Sequence, residues 1–398
     1  MKEDLNFLDY YLPEEKIAKY PLKKRNHSKL LIYKNGIIIE DTFKNIYKYI
    51  EPSTLMIFNN TKVIPARIKI KKETGACIEI FLLNPIHPSN YKEAFKAKYS
   101  TTWKCIVGNL RRWKSEKLFL KTKIKKKITN ISFCKKISSE NEIIIEINWD
   151  QPFTFLELIK KIGKIPIPPY LKRDTEEIDE YKYQTIFSKF YGSVAAPTAS
   201  LHFTKLEFKN LIKKGINIDF LTLHVGAGTF KPISSNICNH IMHTEEFCIK
   251  TSLIKKIIKY YPNIIAVGTT SLRALESIYH YANIELYKNN TFHIEQWIKK
   301  KDNTIPNVIN TLTKFYFWLK TNKISNLKLT TQLMITHTDK IIMTKALITN
   351  FHLPKSTLLA LVAAYVGENW KKIYNYALNH NFRFLSYGDA SLLFKENS

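Results

Sequence analysis

The sequence predicts an α/β protein in which a discontinuous α/β sandwich domain carries an inserted antiparallel β-barrel-like domain. Apolar strand-like runs such as TLMIFNN, IDFLTLHVG, IIAVGTTS and KALITNFH recur along the chain, and helix-like segments follow most of them. Between about residues 67 and 150 the pattern changes to short alternating runs such as ARIKI, CIEIFLL, WKCIV and NEIIIEINW, which indicate antiparallel strands. We therefore expect a discontinuous α/β domain from residues 1–66 and 151–398 and an inserted β-barrel-like domain from 67–150.

Capping residues predict where the helices of the α/β domain begin and end. The run SLRALESIYHYA follows two hydroxyl residues, Thr270 and Ser271, either of which can cap a helix. The run KSTLLALVAAYVG begins at Ser356 or Thr357 and ends at Gly367. A lysine-rich segment at about 297–329 is interpreted as a peripheral helical excursion. Its apolar residues lie at the spacing of one helical face: Val308, Leu312, Phe315 and Leu319.

The charge balance points to a polyanionic partner. Lys and Arg total 62 against 34 Asp and Glu, which gives a formal net charge of +28 over 398 residues. Such a surplus attracts nucleic acid through summed Coulomb fields and counterion release. The alternative source is compositional drift, because the chain is also rich in Ile and Asn, which share AT-rich codons with Lys.

Cysteine usage and hydropathy favour a cytoplasmic protein. The five cysteines form no CxxC pair, and their odd number fits neither a disulfide framework nor a thiolate metal site. The first residues carry acids and lack the apolar region of a signal peptide. The longest apolar run, Leu358 to Val366, is much shorter than the ~20 residues of a membrane-spanning helix. We expect a monomer with no membrane partner.

The stretch GSVAAPTASLHFT, residues 192–204, contains no lysine in a lysine-rich chain. Its small residues would let the backbone approach a ligand closely, whereas the alternative is an ordinary proline-containing core turn. The candidate substrate-binding residues of this stretch are Ala196, Pro197, Thr198 and His202.

Two glycine-containing turns follow predicted strands. In TLHVGAGTF, His224 ends a strand and Gly226 and Gly228 can expose backbone amides to an anion or a ribose, although the third glycine of a dinucleotide fingerprint is missing. In IIAVGTTSLRALES, a helix start suits a carboxylate or phosphate. Its candidate residues are Thr269, Thr270, Ser271 and Arg273. The alternative for this second turn is simple hydroxyl capping, with the arginine on a solvated face.

Three further stretches supply acid/base and polar candidates. CNHIMHTEE holds His243 and Glu245 as an acid/base pair, and a zinc site that also uses His240 is a weaker alternative. KALITNFHLPKS places four polar residues at a strand end, where ligands of α/β sheets gather: Asn350, His352, Lys355 and Ser356. FRFLSYGDASLLF offers Tyr387 and Asp389 at a turn, and a plain hairpin turn is the alternative.

The predicted inserted domain mixes cations with aromatic residues. In WKCIVGNLRRWKSEK, such a mixture can hold phosphates and stack bases, while a solvated basic face is the alternative. The candidate nucleic-acid-binding residues are Arg67, Arg111, Arg112 and Lys114.

Together these motifs resemble the S-adenosylmethionine:tRNA ribosyltransferase-isomerase family. The resemblance rests on GSVAAPTASLHF, TLHVGAGTF, HIMHTEE, AVGTTSLRALES, LITNFHLPKSTLL and FRFLSYGD, with NNTKVIPAR and the N-terminal DYYLPEEKIAKYPLKKRNHSKLLI, in order over nearly the whole chain. The chain departs from the family at Ser200, where glycine is usual, and at Lys29, where arginine is usual. A segment near 335–342 replaces the family's Pro-Gly-Tyr turn.

The resemblance implies an enzyme that transfers and isomerises the ribosyl moiety of S-adenosylmethionine onto 7-aminomethyl-7-deazaguanine at the tRNA wobble position. The product is epoxyqueuosine in tRNA, and adenine and methionine leave. It implies a tRNA with a queuosine-type anticodon as partner, S-adenosylmethionine as co-substrate, no cofactor and no metal. We predict His224 or His243 as the base that removes a C5′ proton, with Glu245, His352 and Asp389 as further acid/base groups. A non-catalytic tRNA-binding relative is the alternative.

Overall fold

The computed structural model describes residues 5–114, 116–137, 142–226, 233, 237–289, 291–298 and 307–395. In chain order its strands are β1 (Lys29–Lys34), β2 (Ile37–Thr42), β3 (Leu55–Asn59), β4 (Thr61–Val63), β5 (Arg67–Lys71), β6 (Cys77–His87), β7 (Ser100–Gly108), β8 (Leu118–Ile124), β9 (Lys127–Ile137), β10 (Ile143–Trp149), β11 (Gly163–Lys164), β12 (Phe190–Ser193), β13 (Asn217–His224), β14 (Glu245–Lys250), β15 (Ile264–Val267), β16 (His293–Ile294), β17 (Asn326–Thr331), β18 (Ala346–Asn350) and β19 (Ala390–Phe394).

The α-helices lie between these strands. In chain order they are α1 (Tyr91–Lys96), α2 (Phe155–Ile162), α3 (Glu177–Lys182), α4 (Lys205–Lys213), α5 (Thr251–Tyr260), α6 (Thr269–Asn283), α7 (Val308–Thr321), α8 (Thr357–Val366) and α9 (Asn369–Asn379). No helix among the described residues is long and apolar enough to span a bilayer.

A ten-stranded mixed sheet forms the centre of the α/β part, in the order β16-β17-β14-β13-β3-β15-β18-β19-β1-β2. Its central strands β13, β3, β15 and β18 are parallel. Strands β3, β15 and β18 are buried along their whole length, because both faces of the sheet are covered. Alternate residues of β3 therefore face different cores: Leu55 and Ile57 one, Met56 and Phe58 the other. The mixed α/β class predicted from the strand and helix pattern is confirmed.

A second sheet is antiparallel and has seven strands in the order β11-β5-β6-β7-β10-β9-β8. Its strands β5 and β8 approach each other, so the sheet curls into a partial barrel. The core inside it contains Trp103, Phe133 and Ile145, and Phe155 of α2 packs onto this core. The run of short alternating strands between 67 and 149 is thus antiparallel as predicted. Strand β11 at 163–164 joins the same sheet by pairing with β5.

Two local expectations need correction. Helix α6 begins at Thr269 with Gly268 as its N-cap, and no side chain caps it, whereas a hydroxyl cap at Thr270 or Ser271 was predicted. The segment at 297–329 is not helical throughout: α7 ends at Thr321, and residues 326–331 form β17, in which Leu327 and Leu329 alternate with exposed residues. The predicted apolar face of α7 is buried against the core.

Candidate functional site

A cleft lies where the central parallel strands end. Val225 follows β13, Gly268 follows β15, and Asn350 ends β18, so their loops meet at one edge of the sheet. The cleft has an empty volume of about 710 Å³ including its open mouth. This main cleft is lined by Tyr170, residues 195–199, Val225, residues 268–270, Thr349, Asn350, His352, Leu353, Ser356, Leu358, Leu385 and Ser386.

A second pocket of about 310 Å³ adjoins the main cleft. We call it the glutamate pocket, and it is lined by Gly226, His240, Met242, His243, Glu245, Arg273 and Thr357. Gly226 and Thr357 are the chain neighbours of Val225 and Ser356, which line the main cleft. The two cavities therefore lie next to each other, at the end of β13 and at the start of α8.

A third pocket of about 310 Å³ lies on another side of the main cleft. We call it the basic pocket, and it is lined by Pro21, Leu22, Arg25, Ser28, Lys182, Leu201, His202, Arg383, Ser386 and Tyr387. Ser386 lines both this pocket and the main cleft. We call the main cleft, the glutamate pocket and the basic pocket together the groove.

Most of the sequence-predicted site residues meet in this groove. In the main cleft lie Ala196, Pro197, Thr198, Thr269, Thr270, Asn350, His352 and Ser356. In the glutamate pocket lie Gly226, His243, Glu245 and Arg273, and in the basic pocket lie His202 and Tyr387. Gly228 falls outside the described residues.

The lysine-free stretch forms one wall of the main cleft. The Ser193 hydroxyl donates to the carbonyl oxygen of Ala195 at 2.7 Å and accepts from the Val225 amide at 2.9 Å. These bonds tie the small-residue segment to the end of β13. Ser193 is fully buried, so a long cationic side chain at this position would have no room and no solvent.

The start of α6 forms a second wall. Gly268 has a φ of +92°, a backbone conformation that favours glycine, and it turns the chain directly from β15 into the helix. No side chain caps this 15-residue helix, and Thr269 and Thr270 of its first turn line the main cleft at the positive end of the helix dipole. This arrangement suits a carboxylate or a phosphate.

A buried ion pair sits in the glutamate pocket. The Arg273 Nη1 donates to Glu245 Oε2 at 2.8 Å, and the two side chains are 6% and 4% exposed. The other carboxylate oxygen, Oε1, accepts from the Gly226 amide at 3.4 Å. The Glu245 carboxylate thus compensates the charge of Arg273. His243 lines the same pocket and is exposed to solvent.

Two buried histidines in the groove are neutral at pH 7. Burial lowers the pKa of His352 to about 3, and its Nε2 lies 2.8 Å from the Thr349 hydroxyl. Burial also lowers the pKa of His202 to about 4, although the nearby Asp389 acts in the opposite direction. The His202 ring bridges Ser28 Oγ, at 2.8 Å from Nδ1, and Asn350 Nδ2, at 3.2 Å from Nε2.

His224 does not line the groove. Its neighbour Val225 lines the main cleft, whereas the His224 ring lies against Thr61 and Tyr91. Its Nδ1 lies 2.9 Å from the Thr61 hydroxyl, its ring packs on Tyr91 with centroids 4.7 Å apart, and burial lowers its pKa to about 4. A Cβ added at Gly192 would lie 2.6 Å from this ring, so only glycine fits there.

Three other predicted residues also lie outside the groove. The Asp389 carboxylate accepts from the amides of Lys29, at 3.0 Å, and Arg383, at 2.8 Å, so it holds the C-terminal turn. The Ser271 hydroxyl donates to the Val267 carbonyl one turn back in α6. Lys355 pairs with Asp9 at 2.8 Å. Each of these side chains is engaged by a neighbour in the fold.

The predicted tRNA-binding cations lie in or beside the curled sheet. Arg111 and Arg112 form an exposed helical turn at Leu110–Arg112, with Lys114 also exposed. Between them Trp113 is buried and donates from Nε1 to the Glu116 carbonyl. Arg67 in β5 forms a salt bridge with Glu79.

Comparison with known proteins gives the family. A model of the family described as queuosine biosynthesis protein matches residues 5–393. The chain belongs to this family. Curated relatives named S-adenosylmethionine:tRNA ribosyltransferase-isomerase support the assignment: the protein of Sulfurihydrogenibium sp. is 35% identical over 98% of this chain and 99% of its own, and that of Aliarcobacter butzleri is 35% identical over 97% of both chains.

A solved structure is also similar. The crystal structure of an S-adenosylmethionine tRNA ribosyltransferase from Thermotoga maritima is 25% identical, covers 97% of this chain and 99% of that chain, and has a TM-score of 0.45. The resemblance to the queuosine biosynthesis family found from the sequence motifs is confirmed by the family model and the curated relatives.

Several groove residues of this queuosine biosynthesis protein were not predicted. The main cleft also uses Tyr170, Leu353, Leu385 and Ser386, and the Tyr170 hydroxyl lies 2.5 Å from Ser386 Oγ. Tyr170 lies in a 3-10 turn, Pro169–Leu171, at the end of the proline-rich run IPIPPYL. Prolines set this turn, but nothing in the local pattern shows which cavity it reaches. Within the described residues, no group of three or more His, Cys, Asp or Glu could hold a metal ion.

Proposed function

We propose that this chain transfers and isomerises the ribosyl moiety of S-adenosylmethionine onto 7-aminomethyl-7-deazaguanine at the wobble position of tRNA. The product is epoxyqueuosine-tRNA, and adenine and methionine are released. One observation carries the proposal: six family-like motifs that are far apart in the sequence converge on a single groove at the end of a parallel sheet. Names of full-length relatives support the same activity.

The groove offers distinct places for the parts of S-adenosylmethionine. We assign the methionine carboxylate to the uncapped start of α6 at Thr269 and Thr270, where helix amides favour an anion. The adenosine would pack on the small residues 195–199 and on the apolar side chains of Leu353 and Leu385. Arg273 is less suited to the carboxylate, because Glu245 already compensates its charge.

The C5′ protons next to the sulfonium are acidified, and a base must remove one of them. Catalysis by a general base is most efficient when its pKa lies near the working pH. His352 has a pKa of about 3, so it is neutral but a weak base, and we assign it to hydrogen bonding with the substrate. We assign proton removal to His243, which is exposed in the neighbouring glutamate pocket.

The tRNA must place its wobble base in the groove, which requires the base to leave its stack. We propose that the exposed Arg111, Arg112 and Lys114 bind the phosphate backbone outside the groove, and that Arg67 contributes less because Glu79 already pairs with it. The tRNA would carry a queuosine-type anticodon. We further propose that the protein acts as a cytoplasmic monomer without a cofactor, and the free state of Cys77, Cys105, Cys134 and Cys248 is consistent with a reducing compartment.

The test is incubation of the purified protein with S-adenosylmethionine and tRNA that carries 7-aminomethyl-7-deazaguanine, followed by mass analysis of the nucleosides. The expected result is an epoxyqueuosine nucleoside with equal amounts of adenine and methionine. Reactions that lack either substrate are the controls. If tRNA binds but adenine release stays at background, the chain is a non-catalytic tRNA-binding relative and the proposal fails.

A further inference from the structure

The basic pocket contains more positive charge than its surroundings neutralise. Among the described residues that line it are three cations, Arg25, Lys182 and Arg383, and no carboxylate. Of these, Arg383 is paired with Asp389 at 3.0 Å. Asp179 accepts from the Tyr387 hydroxyl at 2.7 Å and is paired with Arg173 at 2.7 Å. These two carboxylates are therefore paired with Arg383 and Arg173, and not with Arg25 or Lys182.

Arg25 and Lys182 are held in place by backbone oxygens rather than by acids. Arg25 donates from Nη1 to the Gln184 carbonyl at 2.9 Å and from Nη2 to the Tyr181 carbonyl at 3.2 Å. Lys182 Nζ donates to the Lys23 carbonyl at 2.8 Å. In the described part of the chain, neither side chain forms a salt bridge with a carboxylate. Each cation keeps N–H groups that are not used by these bonds.

Burial disfavours the charged forms of the Arg25 and Lys182 side chains. Burial lowers the pKa of Arg25, and burial together with the nearby Arg25 lowers the pKa of Lys182. Each shift means that the charged form is disfavoured relative to water. An anion bound between them would relieve this cost. A preorganised arginine beside a lysine is the arrangement that proteins use for phosphate.

The position of the pocket relative to the main cleft limits what the anion can be. Ser386 lines both cavities, and the hydrogen bond between His202 and Asn350 links their walls. A ligand group in the basic pocket is thus a neighbour of a nucleoside in the main cleft. We propose that the basic pocket, through Arg25 and Lys182, binds a backbone phosphate of RNA adjacent to the nucleotide that enters the main cleft.

The mouth of the pocket also fits RNA. The Tyr181 side chain on α3 is 73% exposed, and its own carbonyl fixes Arg25. Lys23 and Lys24 are exposed beside the same wall. Exposed aromatic rings next to cations serve as stacking surfaces for single-stranded bases. The inference rests on the proposed function, because it takes the partner to be tRNA.

The experiment measures binding of a fluorescent anticodon stem-loop RNA by anisotropy for the wild type, Arg25→Gln and Lys182→Gln. The matched control is Lys255→Gln on the exposed face of α5, a helix that leads to the opposite end of β15 from the groove. We expect each pocket variant to weaken RNA binding about tenfold. The slope of log K against log salt should also fall in magnitude by roughly 0.7 to 0.9, as for the loss of one phosphate contact. The control should match the wild type.

Binding of S-adenosylmethionine by calorimetry separates the two sources of an anion. Unchanged affinity in both pocket variants supports the RNA phosphate. Weakened S-adenosylmethionine binding with unchanged RNA binding would mean that the pocket holds the methionine carboxylate, and the inference would be overturned. RNA binding and salt slope equal to the control would overturn it as well.

Folding and turnover are checked separately. Thermal melts followed by circular dichroism identify a variant that fails to fold. Arg25 makes two hydrogen bonds to backbone carbonyls, so Arg25→Gln can destabilise the fold. If its melting temperature falls, the conclusion is drawn from Lys182→Gln. Arg25→Lys keeps the charge and should retain part of the RNA affinity. The binding assay needs no turnover, so a wild type that binds RNA through this pocket but releases no adenine would refute only the proposed function.

Discussion

The guanidinium of Arg273 and the carboxylate of Glu245 form a buried ion pair, with Nη1 and Oε2 2.8 Å apart. Helix α6 carries the arginine and β14 the glutamate, so the pair joins two elements on either side of the glutamate pocket. Each charge is tolerated only because the other is present.

Loss of one member of this pair should be strongly destabilising. Glu245→Ala leaves Arg273 buried without its carboxylate, and we expect the free energy of unfolding to fall by about 3–5 kcal/mol. Urea denaturation measures this. In contrast, Glu285→Ala, which breaks an exposed pair with Lys288, should cost less than about 1 kcal/mol. Equal effects of the two substitutions would contradict a buried, mutually dependent pair.

Stability should fall in mild acid because of the buried histidines. His202 has a folded pKa of about 4 against about 6.5 in the unfolded chain, so between these values the unfolded chain binds more protons. Its contribution is fully present above pH 6.5 and is lost as the pH falls towards 4, with a slope approaching 1.4 kcal/mol per pH unit.

The measurement compares the wild type with His202→Gln by urea denaturation at pH 7, 6 and 5. The difference between the two proteins isolates this histidine from Glu276, whose pKa burial raises to about 7 and which titrates in the opposite sense. We expect the variant to lose less stability than the wild type on acidification. Parallel curves would show that His202 does not titrate on unfolding.

Gly192→Ala should disturb the fold around His224. The new Cβ would lie 2.6 Å from His224 Nδ1, so the ring must shift, and we expect a cost of about 1–3 kcal/mol in unfolding free energy. Gly226→Ala is the matched stability control, because a Cβ there has nothing within 4 Å. If both variants melt at the wild-type temperature, the close approach is relieved without cost and this prediction fails.

His243→Ala should lower turnover by about 100-fold or more, which is the rate loss expected when a general base is removed. RNA binding should be unchanged. Single-turnover adenine release measures the rate. His224→Ala should have a smaller effect, because its ring faces Thr61 and Tyr91 rather than the groove. If His224→Ala loses more turnover than His243→Ala, proton removal must be assigned to His224 instead.

The strands and loops of the groove could be predicted because their signals are local. Apolar strands followed by Gly, Thr or Asn mark the ends of β13, β15 and β18, and the alternating pattern marks the curled sheet. The start of α8 at Ser356 was predicted for the same reason, since its hydroxyl accepts from the Leu359 amide at 3.2 Å.

Long-range partners could not be predicted in this way. Asp389 has the chemistry of a base, but amides of Lys29 and Arg383 occupy it, and those contacts depend on the register of β1 beside β19. His224 and Val225 are adjacent in sequence, and the contacts of His224 with Thr61 and Tyr91, which are distant in sequence, separate its ring from the cleft that Val225 lines. Tyr170 and Arg25 reach the groove from turns that carry no periodic pattern.

The location of β19 has a consequence for synthesis of the protein. This strand, Ala390–Phe394, inserts between β18 and β1, and the neighbouring Ser386 lines two of the three cavities. A nascent chain still missing these residues leaves β18 and β1 without the strand that joins them. Ligand binding must therefore await translation through β19, so ribosome-stalled fragments that end before Ala390 should be inert.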